Sequence, residues 1–266
     1  MNEKSTNRDI AQRILKRLRL FNRKERDHLM KFALYDERRK SDISQPLWRL
    51  VSGNRGLRRP KPDLMFIGMD YHLNWLFAAL RSSLVIDDDA LRAELFENDW
   101  GFDERHKKEI AGKKTKKGEF KDLVPIQGNQ EDVDLVSAWI RNDDESPLCI
   151  TLIEAKLDSQ WTTEQLDSKM QRIALIQTAA CSQSLALNWI EWRCLLLSPT
   201  STIKDSSRKV ETYMQEEYPK MLRKFCVKSK PMQWQWWQWD GMSTRGERFS
   251  VNRVRGNHSK WRVTSV

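Results

Sequence analysis

Two apolar runs separated by a short polar turn constrain this chain more than any other feature. The first covers residues 134–140, Asp-Leu-Val-Ser-Ala-Trp-Ile, and the second residues 148–156, Leu-Cys-Ile-Thr-Leu-Ile-Glu-Ala-Lys. Between them lies Arg-Asn-Asp-Asp-Glu-Ser-Pro, a turn by composition. Short apolar runs bounded this way read as strands, and the turn makes them a hairpin. Side chains alternate along a strand, so residues two apart share a face. On the second run Ile150, Leu152, Glu154 and Lys156 point one way, and Cys149, Thr151, Ile153 and Ala155 the other. Both faces are largely apolar until the end, which suggests a central strand covered on both sides. On the first run, Asp132 and Asp134 share a face with Val136, Ala138 and Ile140. The start of one hairpin strand lies beside the end of the next. Asp134 is therefore expected next to Glu154.

Two carboxylates can hold a hard cation, and a lysine beside them can orient water or steady the charge that builds on a phosphate. A lone Glu-x-Lys is common, because such pairs solvate strand ends. Here an acid-headed strand precedes it and a helix follows, which is the context that gives such a motif meaning. Asp134 followed by Glu154-Ala155-Lys156 resembles the PD-(D/E)XK nuclease superfamily, the restriction-endonuclease-like fold, over roughly residues 120–200. The resemblance implies that Asp134 and Glu154 ligate Mg²⁺, with Mn²⁺ an alternative and the Ala155 carbonyl a third oxygen. It also implies that Lys156 supports attack by water on a phosphodiester, leaving a 5′-phosphate. Val133 stands where the name-giving proline would be, a residue commonly missing in the superfamily. A literal Pro62-Asp63 precedes another apolar run, but far upstream of Glu154, so a direct hairpin with it is impossible.

The segment after the motif carries Leu166, Met170, Ile173 and Ile176 on one helical face. Gln165 lies one position off that stripe, with Lys169 and Arg172 at helical spacing after it. The resemblance gives Gln165 a place in the active site. Its spacing from Thr162 is also that of a capping box, and the two roles are compatible. Lys169 and Arg172 read either as phosphate contacts or as a solvated face. Upstream, residues 69–80 read as a helix with Leu73, Leu76, Phe77 and Leu80 buried. Asp70 and His72 near its start are candidates to complete the site. Their plainer readings are an N-cap and a satisfied, partly buried ring. Glu94, Glu97 and Glu104 are rival acids. Of the two acids before Asp134, Asp132 is a better additional ligand than Glu131, because it shares a face with Asp134.

The chain has 266 residues and a net charge of +10, which favours nucleic acid or another polyanion as partner. Its distribution says more. Lys107, Lys108, Lys113, Lys114, Lys116 and Lys117 crowd one glycine-bounded stretch, and Arg58 and Arg59 a second. Either segment can ride on a phosphate backbone, positioning DNA without reading it, or can be a solvated loop. The cysteines show no Cys-x-x-Cys pairing, and Cys149 and Cys194 read as small core residues. No apolar run reaches membrane-spanning length, so a cytoplasmic protein without a membrane partner is expected.

Residues 9–32 read as an amphipathic helix through Ile10, Ile14, Leu18 and Phe21, and residues 47–51 as a short one. Residues 191–197 form a further buried strand and residues 206–225 an amphipathic helix. The run 231–240 holds four of 12 tryptophans. It reads as a strand closing the core in preference to a stacking platform for unpaired bases. The expected fold is α/β: a restriction-endonuclease-like central mixed sheet flanked by helices (residues 61–266) with an N-terminal helical region (1–60).

The expected function is a magnesium-dependent endonuclease hydrolysing DNA phosphodiesters in restriction, defence or repair, acting as a homodimer or with a partner subunit where assembly is needed. The alternative is a non-catalytic nucleic-acid-binding protein on the same fold. No methyltransferase motif, P-loop or helicase signature is present.

Overall fold

The computed structural model describes residues 6–21, 44–53, 60–84, 131–141, 147–156, 160–181, 186–224, 232–238, 249–253 and 261–265. Its centre is a five-stranded mixed sheet in the order β1-β2-β3-β4-β5, built from β1 (Met65–His72), β2 (Asp132–Ile140), β3 (Leu148–Ala155), β4 (Glu191–Ser198) and β5 (Gln233–Gln238). The first three strands are antiparallel neighbours, and β3, β4 and β5 run parallel. The hairpin expected from the two apolar runs is β2–β3, with Leu135 opposite Ile153 and Ile140 opposite Leu148. Its turn closes through the Arg141 N–H donating to the Pro147 carbonyl at 2.7 Å.

The parallel pair requires a crossover, which α4 (Thr163–Ala180) supplies. The predicted stripe is real: Leu166, Met170, Ile173 and Ile176 are all buried in the larger core. That core covers one face of the sheet and includes Ile150 and Leu152 of β3 and Cys194 and Leu196 of β4. Helices α1 (Asn7–Phe21), α3 (Leu73–Ser82) and α5 (Val210–Lys224) complete the layer. The opposite face carries a smaller core of Met65, Trp139, Cys149, Ile153, Leu195 and Leu197, against which Trp48 and Val51 of α2 (Gln45–Ser52) pack. Alternation thus sends the two faces of β3 into different cores. Each fully covered aliphatic side chain contributes about 1.5–3 kcal/mol.

Helix α2 starts where Ser44 accepts from the Leu47 N–H at 3.3 Å and stops at Gly53, whose φ of +72° suits glycine. Arg193 of β4 donates to the Val51 carbonyl at 3.0 Å and ties the helix to the sheet. Burial pushes the Cys149 thiol up to about 12 and raises that of Cys194 as well, so both act as small core residues. Trp234 of β5 is buried in the larger core, and Trp236 donates to the Ser198 hydroxyl at 2.8 Å. The tryptophan run is therefore a sheet-closing strand as far as Gln238, and Trp239 lies outside the described residues. Strands β6 (Phe249–Arg253) and β7 (Trp261–Ser265) form a separate antiparallel ribbon. Among the described residues no helix is long and apolar enough to cross a membrane.

Residues 69–72 correct the sequence reading. They belong to strand β1, not to a helix, and helix α3 begins only at Leu73. The stripe of Leu73, Leu76, Phe77 and Leu80 is buried as expected. Asp70 is therefore no N-cap. It sits inside the strand with a φ of +46°, a left-handed conformation that Asp tolerates better than most residues. Phe66 and Tyr71, five residues apart, both join the larger core, so the alternation of β1 reverses between them, where Asp70 lies. The Tyr71 hydroxyl then donates to the Leu18 carbonyl of α1 at 2.9 Å.

Candidate active site

The site forms where β1 and β3 end and β2 begins, at the carboxyl edge of the parallel strands, the usual place for ligands in open α/β sheets. The register carries Asp134 there. Leu135 pairs with Ile153, so one step further puts Asp134 opposite Glu154. The ladder does not continue in backbone form. Instead the Ala155 N–H donates to Oδ2 of Asp134 at 2.6 Å. The carboxylate is thereby anchored to the backbone between Glu154 and Lys156, while Asp134 itself is exposed. On the other side of β2, Met69 faces Leu135 and Tyr71 faces Val133, which brings Asp70 level with Asp134.

Glu154 is 7 % exposed. Burial pushes its carboxyl up to about 7; Lys169 and Lys156 pull the other way and Asp134 adds to the rise. Its Oε1 lies 2.8 Å from Nζ of Lys169, which reaches down from α4. That ammonium also donates to the backbone carbonyl of Asp132. Lys156 is held at the strand end by its N–H, which donates to the Leu197 carbonyl at 2.8 Å. Its Nζ stands 5.1 Å from the centre of the buried Trp161 ring, a cation–π contact.

Glu154, Lys156, Trp161, Gln165 and Lys169 line one cleft of about 370 Å³ together with Glu131, Glu164 and Ser168, and Asp134 is not among its lining residues. Glu154 and Lys156 thus share a side, as strand parity requires. Gln165 does two things: its N–H donates to the Thr162 hydroxyl in the helix cap at 3.3 Å, and its side chain borders the cleft.

Three sequence expectations change at this point. Asp132 is turned away from the cleft and pairs with Nδ1 of His72, its direct cross-strand neighbour, while Trp75 stacks edge-on against that ring at 4.2 Å. Glu131, ranked below Asp132, is the acid that borders the cleft; its Oε1 accepts from Ser168 at 3.3 Å. Arg172 is no outward phosphate contact. It is 3 % exposed and donates to Oδ1 of Asn74 on α3. Lys169 is likewise turned inward, its ammonium taken up by Glu154 and Asp132.

Sequence reasoning missed Trp161, Glu164 and Ser168. The signal for Ser168 was available, since it lies one residue from Lys169 and three from Gln165 on the same helix. Asp63 lies at the opposite end of the sheet, before Met65, which pairs with Trp139. Arg58, Arg59, Glu94, Glu97, Glu104 and Lys107, Lys108, Lys113, Lys114, Lys116 and Lys117 lie outside the described residues.

The donor set suits a hard cation. Asp134, Glu154 and the Ala155 carbonyl offer only oxygen, and a buried carboxylate shifted up to about 7 is one that added positive charge would favour. Among the described residues no group of three His, Cys, Asp or Glu side chains forms a ready-made metal cage. No family model matches the chain, and no curated protein or solved structure matches it.

Proposed function

We propose that this protein is a metal-dependent endonuclease of the PD-(D/E)XK type, hydrolysing phosphodiester bonds in DNA. The observation that carries the reading is the β2–β3 register, which brings Asp134 level with Glu154, beside the cleft that Glu154 and Lys156 line. The five-stranded mixed sheet flanked by helices is compatible with a restriction-endonuclease-like fold.

Asp134 and Glu154, with the Ala155 carbonyl, would hold Mg²⁺. Bound there, the ion would supply Lewis-acid stabilisation of charge on the phosphate and ease deprotonation of water. The remaining work belongs to the chain. The Ala155 N–H fixes Asp134 in one orientation. Lys156, braced over Trp161, holds a positive charge beside the position of the scissile phosphate and orients the attacking water. Gln165 can hydrogen-bond that water or a phosphate oxygen from the wall of the cleft. Basic segments outside the described residues would carry the phosphate backbone.

The test is conversion of supercoiled plasmid to nicked and linear forms with Mg²⁺, with Mn²⁺ and with chelator, for the wild type and Lys156→Ala. The reading predicts cleavage that needs the metal and falls by 10²-fold or more in the variant, roughly the worth of one positioned proton-transfer or charge-stabilising group. Salt-sensitive DNA binding without cleavage in any metal would replace it by a binding protein on this fold.

A further inference from the structure

Lys169 occupies an unusual position for a helix lysine. Its Nζ is 2.8 Å from Oε1 of Glu154 and also donates to the Asp132 carbonyl. Its side chain is 15 % exposed and that of Glu154 10 %. An ammonium held by a carboxylate and a carbonyl oxygen is a cation in an oxygen site. The geometry also shows why it is needed. A buried carboxylate without a counter-charge is costly, and removing one partner of a buried pair leaves that cost uncompensated.

The carbonyl that steadies Lys169 is itself fixed, because Asp132 is gripped through its side chain by His72 and through its register opposite His72. The brace runs from α3, whose Trp75 stacks on His72, through β2 to Lys169.

We propose that Lys169 is a tethered counter-ion that sets which cations this site accepts, an inference that rests on the reading of Glu154 as a metal ligand. With no metal bound, its ammonium keeps Glu154 paired and the cleft closed to adventitious cations. A free monovalent ion brings the same charge as the ammonium and must also give up its own freedom, so it does not displace a partner tethered to α4. A divalent ion brings twice the charge and a second carboxylate, Asp134, to hold it. Metal affinity is thus held below what two carboxylates would give alone, and the selection is by charge. Lys169 is a positioning and selectivity residue here and takes no part in the reacting atoms.

The test is binding of Mn²⁺ alone to the full chain, followed by electron paramagnetic resonance of the free ion, with no nucleic acid present. The proposal predicts that Glu154→Gln abolishes the site. Lys169→Met should bind Mn²⁺ on the order of tenfold more tightly than the wild type, about 1.4 kcal/mol. Lys169→Arg, which keeps the charge, should stay near the wild type. In the presence of 0.5 M K⁺, a concentration on the order used to screen exposed charges, Lys169→Met should lose more of its Mn²⁺ affinity than the wild type does. Lys169→Gln, which retains a donor for the Asp132 carbonyl, serves if the methionine variant does not fold. Unchanged or weaker binding in both neutral variants, with Glu154→Gln still inactive in binding, overturns the counter-ion role and leaves the metal site standing. Mn²⁺ binding by Glu154→Gln equal to the wild type sinks the site and the inference together.

Discussion

The two ends of the same sheet each carry a partly covered acid–base pair, and they differ in whether a cleft opens beside it. At one end Arg141, just after β2, pairs with Glu191 at the start of β4, the side chains 19 % and 16 % exposed. At the other, Lys169 pairs with Glu154, at 15 % and 10 %. Burial and pairing are nearly the same. The difference lies in what surrounds each pair. Around Glu154 stand a second carboxylate on the neighbouring strand, a second lysine over a tryptophan ring and a cleft of about 370 Å³. Arg141 and Glu191 satisfy each other, and Arg8 of α1 donates to the Arg141 carbonyl at 3.3 Å, closing that end against the helix layer. An ion pair alone therefore says little about function. Surplus charge facing an open space says more.

The sharpest way to break this comparison is to neutralise the acid at each end. On the proposed function, Glu154→Gln should lower plasmid cleavage by about 10³-fold or more, since it would remove a metal ligand and charge stabilisation together. Glu191→Gln should leave cleavage per folded molecule within about twofold, its cost appearing as lower stability. Equal losses of activity would erase the distinction between the two ends.

The next effect is on stability against pH. Glu154 titrates near 7 in the folded protein and near 4.5 when unfolded, because burial favours its neutral form. The folded state therefore holds that proton more tightly. Its contribution to stability is complete below about pH 4.5, declines as the pH rises and is gone above about 7, a span of about 3 kcal/mol. Denaturant titrations from pH 4.5 to 8 should show Glu154→Gln losing this slope, with a lower overall stability because Lys169 loses its carboxylate partner. A slope unchanged by the substitution would mean that Glu154 is solvated and charged throughout.

The smallest expected effect concerns the helix that delivers Lys169 and Gln165. Thr162→Ala removes the hydroxyl that accepts from the Gln165 N–H and should cost about 1 kcal/mol in unfolding free energy. Cleavage should fall only modestly, because Asp205 still accepts from the Thr163 N–H at 3.0 Å and holds the same turn.

The parts of the molecule legible in sequence were those governed by local periodicity. Strict alternation on β3 put Glu154 and Lys156 on one face, and the 3.6-residue stripe of α4 put Leu166, Met170, Ile173 and Ile176 in the core. The segment at 69–72 was misread for a physical reason. Its apolar residues run straight into those of α3, and nothing local marks the boundary. Pairing with β2, some 60 residues away, and the left-handed backbone at Asp70 decide it. The same reversal explains why parity from Val136 back to Asp132 failed to choose the acid that borders the cleft. Lys169 and Arg172 looked like a solvated basic face because long cations usually are one. Their burial depends on acceptors at Glu154, the Asp132 carbonyl and Asn74, all contributed by other elements.

The central claim is that Asp134 and Glu154 share one divalent cation. Crystals grown with Mn²⁺ and measured at its absorption edge test it directly. One anomalous peak is expected within about 2.3 Å of an oxygen of each carboxylate, a distance typical of hard-cation ligation, with Nζ of Lys169 withdrawn from Glu154. Mn²⁺ bound elsewhere, or to one carboxylate with the Lys169–Glu154 pair intact, would contradict it.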